Sequence, residues 1–576
     1  MTNQFQSKVT WRRLTALAVL CCAAVVRCIR GGNLLPKSLS AVENNVIDLD
    51  EMQYEAQLNR YLLSTLDEVH LLDGFDTPPS EGGEPIEDDT SSSSPIGTKH
   101  EQSPFLESLS SYTLEDAINE AKVFRLTFAI MVYDPTTDTF LAYYSKNHLW
   151  RSSFIKLSNG MRHLAFMLRL QFPGRFKHGS KEFAVAISSG DYPHVHLNKI
   201  PHVGGKAPVL HFGSIFRDER LYPNMVAMPM PGLHIDCFTE WAHHKYVCMA
   251  LRPLTGTPSP DGELAFGEEL GLEWDNLEPQ VVWRGTDFNY LPLLVQPRQQ
   301  QASDLSLDRT IEELTSLEDP QEGKMNATVQ VLRDVYDILT PRWKGVVLTA
   351  EAELAAKDGE LPWADIKFSQ HLLNGVVTPT VGSAKYQQFE EVGVAVGKYM
   401  GPAEQSKYKY YIDIAGGGGT TWTGTSSKLP MPGLLFHHVT PTKDYYHDRL
   451  QPWTHYVPVS PDLHDLKDKF DWAESNPREA KRIADRSTEF MRYLGTSEGF
   501  KQLYEEEFLK PLELIIGAFM PISKSNPGKT WEDILVGSDM VRVLECKGLS
   551  YRTRFACTDV GGEVVERWRK EGKYHE

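Results

Sequence analysis

Basic residues are scarce in this chain relative to acidic ones. Its 576 residues include 77 Asp and Glu but only 59 Lys and Arg, so the formal net charge is −18. A surface of this sign repels phosphate backbones, and we therefore expect no nucleic-acid partner. A single local basic pocket is still enough to bind a nucleoside diphosphate.

The sequence also lacks a long apolar run near its beginning. The apolar segment 14–26 is flanked by Arg12, Arg13 and Arg27, and it is shorter than the roughly 20 residues that span a bilayer. Basic flanks and this length are typical of a secretory signal. We predict a signal peptide or an uncleaved signal anchor over residues 1–30, with a short buried helix as the alternative. An uncleaved anchor would make this a single-pass type II membrane protein of the secretory pathway.

Cysteine is rare, and the spacing of its residues argues against a metal site. Three of the seven cysteines lie in or beside the apolar segment, and the remaining four form two close pairs without a CxxC spacing. An even count in an oxidising lumen predicts two local disulfides, Cys237–Cys248 and Cys546–Cys557. Four buried free thiols are the alternative. Asn326 opens an Asn-Ala-Thr triplet, which is a candidate N-glycosylation site.

Several motifs that would assign other functions are missing. No GxxxxGK[ST] phosphate loop is present. The Asp-x-Asp triplet Asp48–Asp50 is a type of motif that can hold a divalent metal, but it lies in a segment that reads as a solvated acidic stretch. We therefore predict no obligatory metal or other cofactor. The chain ends in Lys-Tyr-His-Glu rather than a KDEL-type signal, which favours the Golgi over the endoplasmic reticulum.

The rest of the chain divides by composition. Residues 31–107 indicate a stem and a disordered acidic linker. Apolar runs alternate with helical patterns from residue 108 onward, which predicts α/β units and a mainly parallel sheet. We expect domains at 108–280 and 281–500, an insertion loop near 293–325, and a helical tail over 501–576. The predicted strands are 126–133, 183–187, 280–283, 345–348, 409–414 and 434–437, and the predicted helices are 161–170, 328–339 and 477–494.

A glycine run is the first candidate site. Gly416, Gly417, Gly418 and Gly419 follow the strand at 409–414 and precede Thr420, Thr421, Trp422 and Thr423. Backbone N–H groups in such a loop, at the start of a helix, suit a diphosphate. A flexible turn is the alternative. Trp422 either stacks on a base or sugar or fills the core.

The segment that follows carries a more specific pattern. It reads L-x-P-W-x-H-Y-x-P-V from Leu450, then D-L-x-D-L from Asp462, then N-x-x-x-A-x-x-I-A-x-x-x-x-x-F from Asn476. A Lys-Tyr-Lys-Tyr run begins at Lys407. This pattern resembles glycosyltransferase family 90, which includes protein O-glucosyltransferases and capsule-associated xylosyltransferases.

Upstream elements are similar to the same family. They are Trp283-Arg284-Gly285-Thr286, Pro341-Arg342, Asp365, and the turn Ser189-Gly190-Asp191-Tyr192-Pro193. The resemblance implies a GT-B fold, in which two Rossmann-like lobes enclose an interlobe cleft. It also implies Asp191 as the catalytic base and Arg342 as a donor contact. From the residues alone, Asp191 could be a turn former, Arg284 an ion-pair partner and Thr286 a strand cap.

The chain departs from the family at one position of the glycine loop. Relatives carry an arginine where this chain has Thr425, and Lys428 could supply the missing charge. We expect Arg284, Thr286, Arg342, Lys428 and the loop 416–423 to bind the donor. His455 and Tyr456 are expected to pack the donor domain, and a metal role for His437 or His438 is not expected.

The function these features predict is inverting transfer of glucose or xylose from a UDP-sugar, the co-substrate, to a hydroxyl of a protein or glycan. One base suffices for inversion in a single step, and positive charge with N–H donors stabilises the leaving diphosphate. The alternative from another class is a catalytically inactive member that binds sugars or glycoproteins.

Overall fold

The description of the fold rests on a computed structural model of the chain. It describes residues 104–122, 128–145, 151–188, 190, 205–217, 222–228, 272–288, 297–316, 321–373, 376–421, 423–495, 497–547, 557–559 and 570. All of them belong to one compact unit, Leu58–Glu576. The predicted leader, most of the stem and linker, Asp191, Trp422, Cys237 and Cys248 lie outside the described residues.

The described residues form fifteen strands and fifteen α-helices. The strands are β1 Phe128–Asp134, β2 Thr139–Ser145, β3 Phe183–Ser188, β4 Val209–His211, β5 Ile215–Phe216, β6 Met225–Ala227, β7 Glu278–Asp287, β8 Ala364–Leu373, β9 Val376–Pro379, β10 Tyr408–Ile412, β11 Leu434–His438, β12 Thr442–Lys443, β13 Val457–Val459, β14 Met540–Lys547 and β15 Cys557–Asp559.

The helices cover the sheets and connect their strands. They are α1 Pro104–Ser108, α2 Leu114–Ala121, α3 Arg151–Gln171, α4 Pro297–Ser316, α5 Gln321–Asp334, α6 Pro341–Ala355, α7 Gln387–Glu391, α8 Pro402–Gln405, α9 Thr423–Lys428, α10 Leu466–Ser475, α11 Pro477–Gly495, α12 Ser497–Tyr504, α13 Lys510–Ala518, α14 Ile522–Ser525 and α15 Trp531–Gly537. A π-helical segment, Glu505–Leu509, joins α12 to α13. No helix within the described ranges is both long and apolar enough to traverse a bilayer.

The first sheet has the strand order β15-β14-β2-β1-β3-β4-β6. Its pairs from β15 to β3 are antiparallel, and only β3, β4 and β6 run parallel. The prediction of a mainly parallel sheet is therefore wrong here. Strands β1 and β2 are joined by a tight turn after Asp134, and such a short connection can only join antiparallel strands.

The second sheet has the strand order β13-β11-β10-β7-β8-β9. All of its pairs are parallel except β8 with β9, so the predicted α/β pattern is confirmed in this part of the chain. Its core is rich in buried aromatic and branched side chains, including Trp343, Phe368, Tyr410 and Phe436. A two-stranded pair, β5 with β12, joins the segment that follows β4 to the segment that follows β11.

Four sequence predictions in this region are corrected by the structure. The stretch 345–348 is helical, within α6, because its helix is buried on most faces and so presents the continuous apolar run that is also typical of a strand. The expected insertion loop contains all of α4 and the first turn of α5. The helix expected over 328–339 ends at Asp334, and a 3₁₀ turn follows. The expected domain boundary at 280/281 falls inside β7, which continues past Arg284 to Asp287.

The ends of the folded region also differ from the expectation. Helix α1 begins at Pro104, inside the segment expected to be linker. The predicted helical tail is helical only to Gly537, after which β14 pairs with β2 and completes the first sheet. Met540, Val543, Leu544 and Cys546 of β14 are buried, and the register of the pair is irregular between Arg542 and Leu544. Burial of these side chains stabilises the pairing. Cys546 is disulfide-bonded, and Cys557 lies directly opposite it in the β14–β15 pair.

Candidate functional site

The glycine loop lies at the carboxyl end of β10, where ligands of open parallel sheets bind. Gly419 has φ +73°, a conformation that glycine adopts without a steric penalty, and its N–H donates to the Gly416 carbonyl at 3.0 Å. The Gly418 carbonyl accepts hydrogen bonds from the hydroxyls of Ser214 at 2.6 Å and Thr442 at 2.9 Å. These contacts turn the carbonyl oxygens of the loop toward the protein.

Four backbone N–H groups of the loop remain available. Among the described residues, the N–H groups of Gly417, Gly418, Thr420 and Thr421 have no hydrogen-bond acceptor. Unpaired N–H groups that cluster in one turn form a concave site for an anion. The helix that follows, α9, is only six residues long, so these N–H groups, rather than the dipole of α9, are the chief donors available to a phosphate.

Arg342 lies directly behind this loop. Its guanidinium donates to the carbonyls of Ile414 and Ala415, both at 3.2 Å, and to the carbonyl of Thr286. It also rests 5.0 Å from the centre of the Trp283 ring. Burial lowers the pKa of Arg342 to about 10, so the side chain remains a cation at neutral pH. The structure thus brings Arg342, Thr286 and the glycine loop together.

A buried carboxylate, Asp413, organises the other side of the loop. Oδ2 of Asp413 accepts from the Thr425 hydroxyl at 2.6 Å and lies 2.7 Å from Nδ1 of His437, and Oδ1 accepts from the His438 N–H at 3.0 Å. Burial alone would raise the pKa of Asp413, but His437 and these donors lower it below its usual value. Asp413 is therefore ionised at neutral pH.

Lys428 is the second cation near the loop. Its ammonium is buried, lies 3.5 Å from the Gly424 carbonyl, and is attracted by Asp413. Burial lowers the pKa of Lys428. Arg342 and Lys428 thus place two basic side chains behind the loop, and Asp287 and Asp413 are the carboxylates that act on them. The cation of Arg342 favours an anion at the four N–H groups.

Two predicted donor-binding residues have structural partners. Arg284 forms an ion pair with Asp365 at 2.6 Å and donates to the Lys398 carbonyl at 2.9 Å, which is the alternative that the sequence left open. The Thr286 hydroxyl donates to Gln370 on the neighbouring strand at 3.2 Å, while its carbonyl holds Arg342. Arg284 thus supports the sheet, and Thr286 reaches the loop only through Arg342.

Asp191 lies outside the described residues, and of its turn only Gly190, which follows β3, is described. A Cβ on Gly213 would collide with the Gly190 carbonyl oxygen, and the adjacent Ser214 donates to Gly418. Gly190 therefore lies close to the segment that contacts the glycine loop.

The other predicted residues have simpler surroundings. His455 accepts a hydrogen bond from the Gln451 N–H at 3.0 Å and packs on Phe490, and burial lowers its pKa to about 4. The expected packing role of His455 is confirmed. Asn326 is exposed on α5, whereas Thr328 of the same triplet is buried. Within the described part of the chain, no group of three or more His, Cys, Asp or Glu side chains is arranged to hold a metal.

Sequence analysis missed one polar residue beside the loop. Asp444 accepts a hydrogen bond from the Thr420 hydroxyl at 3.2 Å, and its carboxyl lies 3.5 Å from Nε2 of His447. Burial raises the pKa of Asp444 to about 7. In the sequence, Asp444 stands between Lys443 and the pair Tyr445 and Tyr446, in a segment rich in aromatic residues. This setting was the signal that could have identified it.

Comparisons with known proteins assign the part of the chain that carries this loop. Residues 375–499 match the model of glycosyl transferase family 90. Over this segment the chain is similar to that family. The match includes the glycine loop, Asp413, Lys428 and Asp444, whereas Asp191, Arg284, Thr286 and Arg342 lie before it.

Individual proteins also match this chain over a limited length. Protein O-glucosyltransferase 2 of Danio rerio is 33% identical over 112 residues, which is 19% of this chain and 21% of that protein. Protein O-glucosyltransferase 3 of Homo sapiens is 33% identical over 109 residues, 18% of this chain and 20% of that protein. Protein 035R of Invertebrate iridescent virus 3 is 32% identical over 93 residues, 16% of this chain and 8% of that protein. The chain thus spans about a fifth or less of the length of these three relatives.

Proposed function

We propose that this protein is an inverting, metal-independent glycosyltransferase that moves glucose or xylose from a UDP-sugar to a hydroxyl of a protein or glycan. The observation that carries the proposal is the group of four available N–H donors in the glycine loop. A diphosphate bound there would gain hydrogen bonds and would lie in front of the basic side chains of Arg342 and Lys428. Both interactions strengthen as charge develops on the leaving UDP.

Asp191 is the proposed base. A carboxylate at the end of β3 could accept the proton of the acceptor hydroxyl while the sugar is displaced from the diphosphate. A single base fits inversion, because no covalent sugar intermediate is needed. The backbone contact between Gly190 and Gly213, together with the hydrogen bond from Ser214 to the loop, supports a position for Asp191 near the bound donor.

The proposed architecture is GT-B. The first sheet would carry the base and much of the acceptor surface, and the second sheet would bind the nucleotide sugar. The parallel strands of each sheet support this assignment. The segment after β4 in the first sheet and the segment after β10 in the second meet where the Ser214 hydroxyl donates to the Gly418 carbonyl. We further propose that the protein works in the lumen of the secretory pathway, with the Golgi favoured over the endoplasmic reticulum, on the basis of the apolar segment 14–26 and its basic flanks.

A sugar- or glycoprotein-binding module without turnover is the second candidate. Thr425 replaces the arginine of related sequences and is fully buried against Asp413, so this position offers no charge to a diphosphate. Arg284 is also held by its ion pair with Asp365. These two features reduce the positive charge available to a leaving group, and the remaining net charge depends on Arg342 and Lys428.

The deciding experiment measures UDP release by the full chain with UDP-glucose and UDP-xylose, in the presence and absence of EDTA. Release that resists EDTA and is lost in Asp191→Asn would support the transferase. Asp358→Asn, which changes an exposed aspartate in a turn, is the matched control and should retain full activity. Sugar binding without UDP release across a broad acceptor panel would instead support the binding module.

A further inference from the structure

A cavity of about 320 Å³ lies beside the glycine loop. One wall comes from β5 and β6 with the turn before β6, and the opposite wall comes from residues 443–449. The π-helical segment and the start of α13 close one end. None of the donor-binding residues predicted from the sequence lines this cavity. Its volume is in the range of small-molecule sites in proteins.

The charged groups of the cavity are largely neutralised by one another. Lys443 lies 2.6 Å from Asp448, and Arg449 lies 2.8 Å from Glu506 and also contacts Glu507. These pairs satisfy each other and present little net charge to a ligand. The four carboxylates of the lining outnumber its three cations, so the cavity does not suit a phosphate or another anion.

Two charged groups of the lining, Lys510 and Asp444, stand outside these pairs. Asp444 is the one that contacts the glycine loop. Within the described residues it has no lysine or arginine at salt-bridge distance, and its neighbours are the Thr420 hydroxyl and the His447 ring. Burial lowers the pKa of His447 well below its usual value, so this ring is neutral and does not compensate a carboxylate. The side chain of Asp444 is 15% exposed and lines the cavity. Asp444 therefore offers a hydrogen-bonding carboxyl group to a ligand in the cavity.

The remaining lining is apolar and partly aromatic, with Phe216, Tyr222 and Tyr445 among its members. A sugar ring combines apolar C–H faces with a rim of hydroxyls, so it matches a wall of this kind that contains one carboxyl group. A carboxyl group can accept a hydrogen bond from a sugar hydroxyl, and such a bond is stronger when the group is ionised.

We infer that this cavity is a subsite for one uncharged sugar ring and that Asp444 hydrogen-bonds a hydroxyl of that ring. The inference rests on the proposed function, because Thr420 links Asp444 to the loop that would hold the diphosphate. The ring could be the sugar of the donor or a sugar of a glycan acceptor. Both sources share the same chemistry, and the experiment below separates them.

The test compares binding by the full chain and by Asp444→Leu. Leucine has a similar size, lacks hydrogen-bonding atoms and suits a buried position. The probes are UDP, UDP-glucose, UDP-xylose, and free glucose and xylose. We expect Asp444→Leu to weaken sugar binding by about tenfold, the loss expected for one hydrogen bond to an ionisable group, while UDP affinity changes less than about twofold. Asp471→Leu, at an exposed position on α10 outside the cavity, is the matched control, and we expect it to bind the sugars as the unmodified chain does.

The identity of the weakened probe assigns the source of the ring. A loss confined to the UDP-sugars identifies the donor sugar, whereas a loss for the free sugars with unchanged UDP-sugar binding identifies an acceptor. A second variant, Ala227→Phe, fills the cavity from the opposite wall without touching Asp444 and should weaken the same probe.

Three binding results would overturn the inference. The first is sugar binding by Asp444→Leu and Ala227→Phe within about twofold of the unmodified chain. The second is an equal loss of UDP affinity in Asp444→Leu, and the third is that the unmodified chain binds neither the UDP-sugars more tightly than UDP nor the free sugars. The second result would show that Asp444 only supports the loop. UDP release that persists in Asp444→Leu with an unchanged KM for donor and acceptor would reject this subsite but keep the transferase. Sugar binding without UDP release would keep the subsite and reject the transferase.

Discussion

The two sheets of this protein bury very different side chains where their strands end. In the second sheet, β10 and β11 end in a buried network of Asp413, His437 and His438, with Arg342 and Lys428 close by. In the antiparallel part of the first sheet, Asp134 is buried at the end of β1, but it bonds only within its own turn, to Thr136 and Thr137. Parallel strands place several chain ends at one edge, so polar groups from distant segments meet there.

The first sheet follows the same rule only in its parallel part. Strands β3, β4 and β6 end at Ser188, His211 and Ala227, and the segments that follow β3 and β4 lead to Gly190 and Ser214 beside the glycine loop. Ala227 itself lines the cavity. The antiparallel remainder acts as a support. The parallel strands of each sheet therefore lead to the candidate site, whereas the antiparallel strands mainly stabilise the fold.

The largest expected effect tests the buried network of the second sheet. Asp413→Ala would remove a carboxylate with three partners and should lower the free energy of unfolding by about 3–5 kcal/mol. Asp134→Ala, with only local partners, should cost about 1–3 kcal/mol. Denaturant unfolding of both variants would measure the difference. Equal losses of unfolding free energy in the two variants would contradict the difference between the two sheets.

The next effect tests the support role of the first sheet. Leu544 is fully buried on β14, and Leu544→Ala should lower the free energy of unfolding by about 3 kcal/mol without changing UDP affinity. Val536, which is 59% exposed on the nearby α15, provides the control, and Val536→Ala should change stability by less than about 0.5 kcal/mol. If Leu544→Ala folds but loses UDP affinity, the antiparallel part of the first sheet also influences the candidate site.

A third prediction concerns the pH dependence of stability around Asp444. Its pKa in the folded protein is raised to about 7 by burial, so its contribution to stability is fully present below the ordinary carboxyl pKa and is lost as the pH rises through about 7. Arg217 and Asp413 also act on this carboxyl, in opposite directions.

Asp444→Asn removes this titration. Relative to the unmodified chain, the variant should gain about 2 kcal/mol of stability between pH 5 and pH 8. Unfolding curves of the two proteins at both pH values would measure this gain. A constant difference between them at both pH values would contradict the prediction.

The smallest expected effect concerns the cation behind the loop. Arg342→Lys keeps a positive charge but cannot reach three carbonyls at once, so UDP affinity should fall by about tenfold, or about 1.4 kcal/mol. Calorimetric titration with UDP would measure the change. Arg333→Lys, on the partly exposed surface of α5, is the control and should leave the affinity unchanged. An unchanged affinity in Arg342→Lys would remove Arg342 from the proposed site.

The sequence alone predicted three parallel strands of the second sheet, β7, β10 and β11, and the helix α11, because their periodicities and turn residues agree. It did not predict β8 or β13. It also located the glycine loop and the similarity of the segment around it to glycosyltransferase family 90. It did not predict that the stretch 345–348 is helical, since a helix buried on most faces has no polar stripe. The role of Arg284 could not be decided either, because its partner Asp365 lies on another strand and becomes adjacent only through the pairing of β7 with β8.

Prediction of the candidate site from the sequence is limited in the same way. Asp444 was visible in the sequence, but its meaning depends on burial and on a hydrogen bond from Thr420, and neither has a local sequence signature. Thr425 was identified as a departure from related sequences. The structure adds that its hydroxyl is bound to Asp413 in the interior, so an arginine at this position would need space that the folded chain does not provide.

The place of β14 in the first sheet also has a consequence for synthesis. The ribosome delivers this strand after every element of the second sheet has emerged, yet β14 pairs with β2, which emerged much earlier. Until then the edge of β2 is an open template for pairing with other chains. The second sheet can assemble while the nascent chain is still growing, whereas the first must wait. Quality control during synthesis would therefore act chiefly on the unfinished edge of β2.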